Sequence, residues 1–140
     1  MRKNEFRGKH VTNQEWVYGY FNIDNGLSRI LEKVSYKNND FCCNRLIDLK
    51  TVGQYTGIKD IKGKKIFEGD IIKTDIFRGI RGKAVIVFDL GSFLCEVISI
   101  PLFLPKCGMR VRRFYMDDKD MKIIGNKTDN PELLEEIQHE

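Results

Sequence analysis

The chain has 140 residues, of which 41% are hydrophobic and 31% charged, with a formal net charge of +4. This length suits one domain with a sizeable core, and the balance excludes a disordered or collagen-like chain. The charge is uneven: residues 117–140 hold eight acids against three lysines, so the first 116 carry +9.

The amino terminus, Met1 to Arg7, has no apolar run behind it and reads as no secretory signal. Glu5-Phe6-Arg7 and the strand formers from Trp16 to Ile23 form the opening pair, with Thr12-Asn13-Gln14 as the turn between them. Asp24-Asn25-Gly26 is a strong turn signal. Residues 27–50 give no clean period. Leu27, Ile30, Leu31 and Val34 have helical spacing, Tyr36 to Asp40 is polar, and Phe41 to Leu49 is irregular.

The most informative stretch runs from Thr51 to Lys73. Glycines at 53, 57, 63 and 69 punctuate the strand formers Tyr55-Thr56, Ile58, Ile66-Phe67 and Ile71-Ile72. Asp60-Ile61-Lys62-Gly63 suits a type I turn. Gly69 interrupts a strand and marks a bulge or bend. A ligand loop at Gly69-Asp70 is the sharper reading. The bend is favoured, with the Asp70 carboxylate accepting backbone N–H bonds, because bulges serve sheet geometry more often than ligands.

Three strands follow, ending near Phe77, over Lys83–Phe88 and over Phe93–Ile98, joined by glycine-bearing loops at Gly79-Ile80-Arg81-Gly82 and Asp89-Leu90-Gly91-Ser92. They read as an antiparallel meander. The longest apolar stretch, Val97 to Leu104, is broken by Ser99 and Pro101 and is too short to span a bilayer. A loop over 101–113 leads to Phe114-Tyr115 and to a closing strand over Met121–Gly125. The tail reads as a short helix from Pro131 to Ile137, capped by Asp129 or Asn130, with Leu133, Leu134 and Ile137 requiring a docking surface. The expected fold is mainly β, an antiparallel meander closing into a small barrel-like body with a short C-terminal helix, in one domain over 1–140.

The signature stretch resembles that of the YopX family of phage and prophage proteins. The likeness is strongest where the Gln54-Tyr55-Thr56-Gly57 step and the Glu68-Gly69-Asp70 bend stand intact. It extends to Glu5-Phe6-Arg7, Trp16-Val17-Tyr18-Gly19, Ala84-Val85-Ile86-Val87-Phe88, Ile123-Ile124-Gly125-Asn126 and Asn130-Pro131-Glu132-Leu133-Leu134. Residues 27–50 and 101–116 carry little of it. The resemblance implies a mainly β fold, a phage or prophage origin and self-association. It carries over no catalytic or ligand-binding residue.

Catalytic signals are sparse. His10 and His139 each lie near a terminus, and no nucleophile elbow, phosphate loop or zinc-protease motif is present. Asp117-Asp118-Lys119-Asp120 reads as a solvated turn rather than a cation loop, and Glu68 with Asp70 is a weak acid pair. Cys42 and Cys43 are adjacent while Cys95 and Cys107 stand alone, which suits free thiols in a reducing cytoplasm better than a four-thiolate metal site. No cofactor and no metal are expected.

Two basic clusters offer a nucleic-acid reading. Arg78, Arg81 and Lys83 sit on a hairpin tip, and Arg110, Arg112 and Arg113 stand beside Phe114 and Tyr115. Surface hairpins are often basic, however, and such patches also serve partner docking. The leading expectation is a non-enzymatic, cytoplasmic, self-assembling protein of phage origin that contacts host or phage proteins and no membrane. The alternative is a nucleic-acid-binding β-barrel module using loops 78–83 and 110–113.

Overall fold

The structure, a computed structural model, describes residues 5–77, 79–99, 113–116 and 120–138. It divides into two compact units, Met1–Tyr55 and Thr56–Glu140. The family signature thus straddles their boundary.

The first unit holds β1 (Phe6–Lys9), β2 (Trp16–Asp24), β3 (Leu27–Tyr36), β4 (Asn39–Leu46) and the start of β5 (Gly53–Lys59), in the order β4-β3-β2-β1-β5. Asn25 and Gly26 both take positive φ, 52° and 76°, so the expected turn is a two-residue hairpin loop closed by Asp24 and Leu27. The segment without a clean period is a second hairpin. Lys37 and Asn38 also have positive φ, 50° and 64°, and Tyr36 pairs with Asn39 across them. Eight consecutive pairs follow without a shift, from Tyr36–Asn39 to Arg29–Leu46. The helical spacing noted at Leu27 to Val34 is therefore accidental. Val17, Ile30 and Ile47 form the core of this unit, with Phe6, Phe21 and Val52 packed against it.

In the second unit the remainder of β5 leads to β6 (Lys65–Phe67), then to β7 (Asp70–Phe77), β8 (Ile80–Asp89), β9 (Ser92–Ser99), β10 (Arg113–Tyr115) and β11 (Lys122–Asn126). The last five form an antiparallel sheet ordered β10-β9-β8-β7-β11. The central meander matches the sequence reading. Ile72, Ala84, Ile86 and Cys95 belong to one apolar cluster, with Ile66, Phe93 and Met121. Ile71, Val85 and Ile98 belong to another, with Leu133. Clusters on both faces explain the unbroken apolar runs Ile71-Ile72 and Ala84–Val87, since a central strand covered on two sides need not alternate.

Two expectations require correction. The sheet does not close into a barrel: β10 and β11 lie at its opposite edges, and no ladder among the described residues joins them. The tail is not an α-helix. Pro131–Gln138 is 3-10, begun by Leu133 N–H donating to the Asn130 carbonyl at 3.1 Å. So short a segment lacks the length for α-helical cooperativity, and tertiary contact sets its form. Leu133 supplies that contact by packing against the Ile71 cluster of its own unit, whereas Leu134 is 37% exposed.

Candidate functional site

The cations singled out in the sequence are engaged or lie outside the described residues. Arg78, Arg110 and Arg112 are in the latter group. Arg81, at the start of β8, is ion-paired to the Asp120 carboxylate and also donates to its carbonyl at 3.4 Å. Arg113, at the start of β10, donates from Nη1 to Asp89 at 2.6 Å, and from Nε and Nη2 to Glu96 at 3.2 and 3.1 Å. Its Asp89 partner is held below the ordinary carboxylate range by that Arg113 hydrogen bond and by the Leu90 N–H. Lys83 lies on β8, opposite Lys73 and Ser99. Of the neighbouring rings, Phe114 packs on the core and Tyr115 is 76% exposed. A phosphate arriving at Arg81 or Arg113 must therefore open existing pairs.

The signature bend is structural. Gly69 has φ of 94°, donates its N–H to the Ile86 carbonyl at 2.8 Å and accepts from Lys127 N–H at 2.8 Å. Asp70 is buried and accepts from Phe67 N–H at 2.8 Å. Asp60 likewise organises its turn. Its carboxylate accepts from the N–H groups of Lys62 and Lys64, both at 2.9 Å, and of Ile123 at 3.2 Å. Burial pushes the Asp60 carboxyl up, and the three donors outweigh it, leaving it below its ordinary value. Cys95 is fully buried and its thiol is pushed up to about 12, so it is an inert core residue. Cys42 is exposed and Cys43 half-buried, each free, and Cys107 lies outside the described residues. No cluster of metal-ligating side chains occurs among the described residues.

Two features of the first unit were not singled out in the sequence. The first is the outer edge of β4. A two-residue loop makes Tyr36 and Asn39 a hydrogen-bonded pair, so the odd-numbered residues of β4 turn their main chain toward β3 and the even-numbered ones turn it away. Ile47 N–H donating to the Ser28 carbonyl at 2.9 Å and Leu46 accepting from Val11 N–H at 3.1 Å fit this alternation. Leu46 is thereby capped, which leaves Asp40, Cys42 and Asn44 as the outward row.

The second feature is the sheet face opposite the Val17–Ile30 core. Cross-strand partners share a face, so the pairs Lys9–Trp16, Arg7–Tyr18, Tyr20–Leu31, Asn22–Arg29 and Asp24–Leu27 stand together, with Lys33 and Asp40 further along. Arg7 and Lys9 lie 4.5 and 4.8 Å from the Trp16 ring centroid. Tyr20 is 60% exposed and Tyr18 41%. Strand alternation in Trp16-Val17-Tyr18-Gly19-Tyr20 was the available signal, since it sends the three large rings to one side.

A family model described as YopX protein matches residues 5–135. The chain belongs to the YopX family. Among solved structures, protein EF1440 from Enterococcus faecalis is similar, with 22% identity and a TM-score of 0.55 over 96% of this chain and 99% of that one. At that identity the likeness shows a shared YopX-type fold. Comparison with curated proteins gives no match. No helix among the described residues is long and apolar enough to cross a membrane.

Proposed function

We propose that this YopX-family chain is a phage- or prophage-derived, cytoplasmic, non-enzymatic protein that self-assembles and works through contacts with proteins. One observation carries the assembly part: the outward row on β4, Asp40, Cys42 and Asn44, is symmetric about Cys42. Two copies related by a two-fold axis normal to the sheet would pair Cys42 with Cys42 and Asp40 with Asn44, using every open main-chain group of the row. The strand has no proline and no bulge to blunt it.

About six main-chain bonds at about 1 kcal/mol net each stand against an association cost of about 4–15 kcal/mol. Apolar burial must supply the rest. Phe41, 44% exposed, would lie beside Cys43 of a second copy on the same sheet face.

Light scattering coupled to size exclusion tests the reading. The wild type should run as an oligomer, and Cys42→Lys, which places a charge on the edge, should shift it to smaller species with an unchanged melting temperature. A short bismaleimide should link two wild-type chains and fail to link Cys42→Ser chains. A wild type that is monomeric at high concentration would defeat the proposal.

A further inference from the structure

We infer that the exposed face of β1, β2 and β3 in the first unit binds single-stranded nucleic acid, at a site separate from the basic loops of the second unit. The composition of the face is the argument. It carries Arg7, Lys9, Arg29 and Lys33 against Asp24 and Asp40, and three of the chain's aromatic rings, Trp16, Tyr18 and Tyr20. Exposed rings interleaved with cations are what a surface needs to stack unpaired bases while following their phosphates. Tyr18 and Tyr20 are two residues apart on one strand, so their rings rise from the sheet about 6.8 Å apart. Successive bases can use both.

Electrostatics favours an anionic occupant. Arg29 is half-buried between Asn22 on β2 and Leu46 on β4, and its Nε is buried with no hydrogen-bond partner among the described residues. A guanidinium left so is an unmet donor, which a phosphate oxygen would satisfy. Lys33 has an acid within reach, with Asp40 at 3.6 Å, but both side chains are largely solvent-exposed and that pair exchanges readily. By contrast, Arg81 and Arg113 in the second unit already hold acids at hydrogen-bonding distance. The first unit is thus the better phosphate surface, although it holds fewer of the adjacent arginines that draw the eye in the sequence.

Trp16 is the only tryptophan of the chain and lies on this face, so it reports on the site without labelling. Titration with a 15-nucleotide oligothymidylate should change Trp16 fluorescence and raise the anisotropy of the labelled oligonucleotide with the same midpoint. The same sequence as duplex should compete weakly. Neutralising two to three phosphates predicts that affinity falls about tenfold for a fourfold rise in salt. Tyr20→Ala and Arg29→Met should each weaken binding about tenfold, while Tyr20→Phe, which keeps the ring, should bind as the wild type does. Melting curves of the variants separate misfolding from loss of contact, and the wild-type fluorescence titration stands without any variant.

Several results would overturn the inference. One is the absence of binding at low salt. Another is binding that ignores Tyr20→Ala and Arg29→Met but is lost in Arg113→Ala, which would move the site to the second unit. A third is duplex binding as tight as single-strand binding. The last is Trp16 fluorescence that changes with protein concentration alone, which would mean that another copy of the chain covers the face.

Discussion

At Gly69 the φ of 94° and the side chain of Lys127 act together. A β-carbon there would lie 3.3 Å from Lys127 Cε, in a conformation β-branched residues avoid. Gly69→Val should therefore destabilise the fold by about 1–3 kcal/mol, read from denaturant titration, whereas an unchanged midpoint would remove the case for strain. Asp60 makes a second prediction at this scale. Its folded pKa lies below the value near 3.9 of an unfolded aspartate, so its contribution is full above about pH 4 and is lost as pH falls through the folded value. Thermal melts should show the wild type losing stability on acidification, and Asp60→Asn should be less stable at neutral pH and lose less below about pH 4. Thiol labelling of the native protein should modify Cys42 and leave Cys95 unmodified until the chain unfolds.

At the scale of elements, the tail depends on one side chain. Leu133→Ala should cost about 1–2 kcal/mol, less than a fully buried leucine because Leu133 is only half-buried, and Leu134→Ala should cost less still. Equal losses would mean that the segment docks differently. The sequence disclosed the elements whose turns contain glycine at the positive-φ position: Asp24-Asn25-Gly26, Asp60–Gly63 and Asp89–Ser92 all lie where expected. It concealed the β3–β4 hairpin, whose loop is Lys37-Asn38 and whose outer residues are exposed on both faces, which erases the alternation a half-buried strand shows. The tail misled because its caps and leucines suit an α-helix, whereas its brevity leaves the choice to packing. Of the candidate sites, adjacent arginines were visible and their ion partners were not. Asp89 and Glu96 meet Arg113 only through the β8–β9–β10 pairing, 24 and 17 residues away.

For the molecule as a whole, the two units have separate cores that share no residue. Ile30→Ala, fully buried in the first, should cost about 2–5 kcal/mol there. Native-state hydrogen exchange should then quicken across residues 5–55 while the amides of β7, β8 and β9 keep most of their protection. Uniform loss of protection would show that the chain opens as one cooperative body. The outward row on β4 has a consequence that reaches beyond stability. The length of the Lys37-Asn38 loop fixes which alternate residues face a partner. A single inserted residue that slid β4 by one position along β3 would turn Phe41, Cys43 and Arg45 outward instead, with no change in the composition of the strand. Such a chain would fold on the same plan and fail to pair with this one. Two residues of turn therefore act as a lock on identity, able to separate two co-resident relatives that differ by one codon.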